Sequence, residues 1–237
     1  MEISHRIQAV ASFVTPGLTV ADIGCDHGYT TIYLLREGIA PKVYAMDINK
    51  GPLERAVQNI ERAGLQGQVV FRLSDGMEKL LPDEAGCLLL SGMGGILIRD
   101  ILSRSPAVVE KAAELVLQPQ SELGILRHYL HDRGYCIVRE SMLLDAGKYY
   151  TVMKAVKGEE QYEGEMEYRY GRLLLEKRSD VFVEWLKKEL ARMDAIVEGM
   201  KDKKGERSHQ RYKDLCENIE FIQGYLKGRY RADGRSM

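Results

Sequence analysis

Four residues fall on alternate positions in VADIGCDHGYTTIYLL, residues 20–35: Asp22, Gly24, Asp26 and Gly28. The apolar run before them and the amphipathic run after them predict a buried strand, a glycine turn and a helix. A turn of this kind brings backbone close to a ligand, and Gly24 lacks the Cβ that would hold the ligand off. A dinucleotide fingerprint uses the helix N-terminus to hold a pyrophosphate. Carboxylates at 22 and 26 would repel a pyrophosphate and suit a ligand that carries positive charge. S-adenosyl-L-methionine, with its sulfonium and ammonium groups, is such a ligand.

Two more carboxylates sit at comparable places. Asp47 ends the run YAMDIN, where a carboxylate can accept from both ribose hydroxyls, and Ile48 follows it toward the same nucleoside. Asp75 ends FRLSDGM, where it can accept from an adenine amino group, with Gly76 beside it. The fourth run, CLLLSGMGGILI, places Gly92, Met93, Gly94 and Gly95 in a loop of nearly bare backbone whose N–H and C=O groups can line a planar substrate. The cofactor-binding candidates are therefore Asp22, Gly24, Asp26, His27, Asp47, Ile48, Asp75, Gly76 and Gly92. The catalytic candidates are Asp26, His27, Gly92, Met93 and Gly94: a carboxylate near developing charge, an imidazole beside it, and the loop that positions the acceptor. Tyr29 and Gly95 are the candidates for contact with the acceptor base, although a tyrosine in the first turn of a helix also serves as packing. His128 and His131 have the spacing of a metal pair but no third ligand nearby, so they read as surface helix residues, and no metal is expected.

These residues need a frame that brings strand ends together. From residue 20 to about 156, short apolar runs alternate with amphipathic stretches, which predicts βαβ units and a mostly parallel, doubly wound sheet. Only a few residues around Gly147 separate YCIVRES from YYTVMKAV, too few for a crossover helix, so the last strand is expected to pair antiparallel. After residue 160 strands give way to charged helices. Phe182, Leu186, Leu190, Met193, Val197 and Met200 form one apolar stripe; Tyr212, Leu215, Ile219, Ile222 and Leu226 form another. The reading is an α/β, Rossmann-like methyltransferase domain over 1–160 and a C-terminal helical coiled-coil hairpin over 161–237, with arms about 30 Å long.

Charge narrows the partners. The chain carries 34 basic and 35 acidic residues, which excludes a protein that coats nucleic acid indiscriminately. The basic surplus lies C-terminal: residues 1–150 hold 15 Lys and Arg against 18 Asp and Glu, residues 151–237 hold 19 against 17. The opening residues do not read as a signal peptide and no apolar run is long enough for a bilayer, so a cytoplasmic protein without membrane contact is expected. Four cysteines without a C-x-x-C pair argue against zinc and disulfides and predict buried thiols.

ADIGCDHGY, DINKGPLERA, LSDGM, SGMGG and LQPQSE resemble, in order and spacing, the bacterial TrmK family, which methylates N1 of adenine at position 22 of tRNA. The resemblance covers nearly the whole chain. It implies a Rossmann-type class I methyltransferase domain followed by a coiled coil, S-adenosyl-L-methionine as donor and tRNA as partner, with no protein partner implied. It also implies a cleft lined by Asp22, Gly24, Asp26, His27, Asp47, Asp75 and the loop from Gly92 to Gly95. The chain departs from the family pattern at Cys25, Gly28, Thr30 and Thr31, and has Gln120 where an asparagine usually follows the Gln-Pro pair. A methyltransferase for another RNA, or an inactive tRNA-binding protein on the same scaffold, are the alternatives.

Turning a base out of folded tRNA requires grip elsewhere. KDKKGERSHQRYK gathers Lys201, Lys203, Lys204, Arg207 and Arg211 at the expected hairpin tip, a composition suited to phosphate contact. Replacing Lys203, Lys204 and Arg207 by glutamine is expected to weaken tRNA binding and to lower its salt slope by about 0.9 for each phosphate no longer neutralised. Filter binding across a salt series measures both, and an unchanged slope makes the tip a bystander.

Overall fold

A computed structural model describes residues 3–200 and 206–228, without the side chains of 206–208. The chain divides into two compact units, Met1–Gln161 and Tyr162–Met237.

The first unit opens with α1 (His5–Ala11), whose first turn is capped by the Ser4 hydroxyl accepting from the Ile7 N–H. Strands and helices then follow in the order β1 (Val20–Ile23), α2 (Tyr29–Arg36), β2 (Val43–Asp47), α3 (Lys50–Arg62), β3 (Val69–Leu73), β4 (Cys87–Met93), α4 (Gly95–Arg104), α5 (Pro106–Lys111), β5 (Glu114–Pro119) and α6 (Leu123–Asp132), with no helix among the described residues between β3 and β4. The unit ends with β6 (Tyr135–Asp145) and β7 (Lys148–Lys157). The seven strands form one sheet in the order β3-β2-β1-β4-β5-β7-β6. All neighbours are parallel up to β5, and β7 lies antiparallel between β5 and β6, as the short link around Gly147 predicts. That link has two residues, Ala146 and Gly147, both with positive φ, the backbone a tight hairpin requires.

The central strands β1, β2 and β5 are buried at every position. This explains their nearly unbroken apolar runs: helices cover both faces, so neither face needs polar residues. The strand order reverses between β1 and β4, and in such sheets the crevice at the carboxyl ends of the two diverging strands is where ligands bind. Asp22 sits near the end of β1, in register with Ala45 of β2 and Leu89 of β4.

Gly95 fixes the crevice's far wall. A methyl group there would lie 2.7 Å from the Ser121 carbonyl oxygen and 2.8 Å from that of Glu122. Its N–H donates to the Ser121 carbonyl at 3.0 Å, so α4 starts directly against the turn that starts α6. Gly95, expected at the substrate, is thus buried in backbone packing.

Three other expectations are corrected. His131 is buried on α6, not a surface residue, with Nε2 3.2 Å from Glu160 Oε2; burial pushes its pKa below the ordinary value. Cys136 and Cys216 are only half-buried, whereas Cys25 and Cys87 are buried, and all four are free thiols. In the second unit Tyr212 of the expected stripe is exposed.

That unit comprises α7 (Glu165–Tyr170), α8 (Arg172–Lys177), α9 (Asp180–Glu198) and α10 (Glu206–Leu226). The long helices α9 and α10 pack on each other, but aromatic residues hold them as much as the stripes do. Tyr170 stacks on Phe221 at 5.5 Å and donates its hydroxyl to Asn218 Oδ1 at 2.7 Å. Tyr225 meets Phe182 edge-on and bonds the Leu175 carbonyl. The short helices α7 and α8 thereby join the hairpin's base. Lys201, Lys203 and Lys204, with the side chain of Arg207, lie outside the described residues; Arg211 is exposed on α10.

Because the atoms facing Gly95 are backbone, they cannot rotate away. Gly95→Ala is expected to cost about 1–3 kcal/mol, the range of an overpacked core. Urea unfolding of the full chain measures it, and unchanged stability would mean that α4 and the 121–122 turn shift freely.

Candidate active site

The crevice is built from the tips of β1, β2 and β4. After β1 the chain turns sharply: Gly24, Asp26 and Gly28 all have positive φ, and the N–H groups of Gly24 and Cys25 both donate to the Met46 carbonyl, at 2.8 and 2.9 Å. The turn is thus pinned to the end of β2. Asp47 completes the pin, accepting from the Asp26 N–H at 3.1 Å and the Asn49 N–H at 2.8 Å. Its carboxylate is almost buried, with one backbone donor on each oxygen and further acceptor capacity on both. Ile48, beside it, is 58% exposed, an apolar surface left open at the tip of β2.

From the other side, β4 closes on the same turn. A methyl group at Gly24 would lie 2.9 Å from the Cε of Met93, so the two glycine loops touch through that side chain. Gly92 has φ +82°, Gly94 is the N-cap of α4, and the Met93 carbonyl accepts from the Gln120 N–H at 3.0 Å. The expected residues Asp22, Gly24, Asp26 and Asp47 therefore lie at the adjoining ends of β1 and β2, and Met93 brings the loop that begins at Gly92 against Gly24.

Asp22 has the most unusual environment. It is 3% exposed and accepts from the Thr31 hydroxyl at 2.7 Å, and among the described residues no basic side chain pairs with it. Burial raises its pKa from 3.8 to about 6, with Asp47 nearby adding to the rise and the Thr31 hydrogen bond opposing it. Asp26 is the reverse: its carboxylate is 64% exposed at the rim, 3.5 Å from His27 Nε2. The His27 ring stacks on Tyr29, centroids 5.8 Å apart, and its backbone carbonyl is held by Asn59 Nδ2 at 3.0 Å. These two rings give the rim a flat aromatic surface.

Asp75 has a partner that the sequence did not reveal. Arg104, near the end of α4, donates to both its oxygens, at 2.9 and 3.0 Å, and holds the carboxyl below its ordinary range. Gly76 has φ +52° and lies against Ile101, so its backbone form and its packing both exclude a side chain.

Residues 3–153 match the family described as methyltransferase domain. A tRNA (adenine(22)-N(1))-methyltransferase of Bacillus subtilis is 29% identical over 228 residues, 94% of this chain and 96% of its own length. A Streptococcus pneumoniae protein assigned as a tRNA (m1A22) methyltransferase, solved with S-adenosyl-L-methionine, is 31% identical with a TM-score of 0.86 over 95% of this chain and 100% of its own. Mycoplasma capricolum TrmK, solved with S-adenosyl-homocysteine, is 25% identical with a TM-score of 0.82 over 96% and 99%. The chain belongs to the TrmK family of methyltransferases. In this TrmK chain Thr31, Arg104 and Asn59 are residues that sequence reasoning missed. Thr31 alone left a trace, as a hydroxyl at one of the positions where the chain departs from the family pattern. No helix among the described residues is long and apolar enough to cross a membrane, and none of their His, Cys, Asp or Glu clusters would hold a metal.

Asp22 makes a measurable pH signature. With its pKa raised in the folded state, its stabilising contribution is present below about 3.8 and lost as pH rises through about 6. Above that range a charged Asp22 burdens the ligand-free fold by up to about 3 kcal/mol. Asp22→Asn is expected to unfold at higher temperature than the wild type at pH 7.5 and at the same temperature near pH 4. Calorimetry across that range tests it; parallel curves would mean that the carboxylate is ordinary.

Proposed function

We propose that the protein transfers a methyl group from S-adenosyl-L-methionine to N1 of adenine 22 of tRNA, in the cytoplasm. One observation carries this reading: a buried carboxylate, Asp22, without a cationic partner among the described residues, at the strand end where two glycine loops meet. A cationic ligand supplies the missing partner, which is the fit expected of this donor. Similarity to proteins named for m1A22 methylation over nearly their whole length supplies the acceptor.

When bound, the donor supplies an electrophilic methyl group on a sulfonium. Asp22 and Asp26 offer it negative charge. Asp47 has acceptor capacity left for a ribose diol, Ile48 offers an apolar face to the nucleoside, and Asp75 an acceptor for the adenine amino group. On the acceptor side, the backbone of Gly92, Met93 and Gly94 sets the plane of the target base, and the His27–Tyr29 pair offers it a stacking face. N1 of adenine has an in-plane lone pair, so no base is needed to generate the nucleophile. Alignment in a pocket that excludes water does most of the work, an effect worth roughly 7–11 kcal/mol when geometry is right. The product carries positive charge, and Asp26 at the rim stabilises it as it develops. The basic segment around residues 201–211 is the proposed grip on tRNA phosphates.

The test is methyl transfer from labelled donor to unmodified tRNA transcripts, followed by reverse transcription. A single polymerase stop at adenine 22, abolished when that base is changed, is the expected outcome. Donor binding without transfer to any tRNA would refute the acceptor and send the search to other RNAs.

A further inference from the structure

The geometry points to Arg6 as an anion site of the cleft, one that holds a phosphate flanking the target adenine while the base lies against Gly92. Arg6 belongs to α1, 85 residues before Ser91 at the edge of the loop it reaches. Its Nη1 donates to Ser91 Oγ at 3.3 Å and to Gln118 Oε1 at 3.2 Å, and a methyl group on Gly92 would lie 3.6 Å from that same nitrogen. Its backbone N–H is fixed by Asp145 Oδ2 at 3.1 Å, and its guanidinium carbon lies 5.7 Å from the centroid of the Tyr150 ring. Strands β4, β5, β6 and β7 thus all help to place one cation.

That cation is underused. A guanidinium has five N–H donors; among the described residues only Nη1 is engaged, by neutral acceptors at the long end of hydrogen-bond range. No carboxylate among those residues pairs with it, whereas Arg72, Arg104 and Arg127 are each matched to one. A half-buried guanidinium with spare donors beside the acceptor loop is fitted for an anion.

Chemistry and position select which anion. Contact with the base would oppose catalysis, because adenine methylated at N1 is a cation. The phosphates that travel with an extruded nucleotide are the complementary charge. Arg6 lies over β4, β5 and β7, beside the acceptor loop. The donor's carboxylate is the other source of negative charge on this side of the switch point, and the effect of Arg6→Gln on donor affinity separates the two. The phosphate assignment rests on the reading of the protein as a tRNA adenine-N1 methyltransferase.

The test uses the full chain and tRNA ligated with a neutral methylphosphonate on one or the other side of adenine 22. Single-turnover transfer by Arg6→Gln is expected to be about ten- to a hundredfold slower than by the wild type, as for removal of a charge-assisted hydrogen bond, with Arg6→Lys in between. Donor affinity, by calorimetry, should change less than about twofold. One methylphosphonate should slow the wild type by a similar factor and slow Arg6→Gln hardly further, since each change removes the same interaction. Multiplying losses, or a wild type indifferent to both methylphosphonates, would overturn the phosphate site and leave the proposed function standing. A tenfold loss of donor affinity would assign Arg6 to the donor's carboxylate instead. Should Arg6→Gln fail to fold, the wild-type methylphosphonate rates and Arg6→Lys decide the matter. No transfer by the wild type to any tRNA would overturn function and site together.

Discussion

A carboxylate that the fold buries without a counter-ion is the constraint around which the N-terminal unit is organised. Asp22 cannot escape to solvent, because it lies within a central strand paired on both sides. Nor does a lysine or arginine among the described residues neutralise it. The fold compensates in part with one hydroxyl, from Thr31, and leaves the remaining cost unmet. Stability spent in this way is recovered when a cation binds, so affinity and instability at this residue are the same energy seen in two states.

The surrounding connections hold that carboxylate at the open end of the sheet. The β1 turn is bonded to the end of β2 by Met46 and Asp47, and it meets β4 through Met93. The β4 loop is bonded in turn to the segment after β5, through Gln120 and Ser121. Successive strand tips are therefore linked sideways, by hydrogen bonds between β1 and β2 and between β4 and the segment after β5, and by Met93 packing between β1 and β4. The second unit has a separate core in which tyrosine hydroxyls and stacked rings fix the helices, with the Arg178 guanidinium holding the Tyr225 and Leu226 carbonyls at the end of α10.

Much of this was legible in the sequence, for a physical reason. Strand period, glycine turns and the acidic residue after each strand are local signals, and a parallel sheet converts equal local positions into one shared edge. That is why the positions of Asp22, Asp47 and the Gly92 loop at neighbouring strand ends could be read from spacing alone. What could not be read are pairings between distant segments. Arg104 meets Asp75 across 29 residues, Thr31 turns back to Asp22 across nine, and Arg6 reaches Gln118 across 112. Helical periodicity shows which face is buried but not what it is buried against, which is why spacing alone puts His131 at the surface. Gly95 shows the same gap: three glycines in a loop suggest room for a ligand, and only the fold reveals that one of them makes room for another turn.

The order of strands in space differs from their order of synthesis. Strand β7, the last of the sheet to leave the ribosome, is inserted between β5 and β6 and is not added at the margin. It brings Lys154, whose ammonium meets the buried Glu114 of β5, which also holds the Thr15 backbone and hydroxyl. Until residue 157 has emerged, β5 is an unpaired edge rich in apolar side chains and Glu114 lacks its cation. Such an edge invites pairing with another chain. The nascent protein must therefore carry an adhesive, incompletely neutralised strand until the final hairpin closes over it.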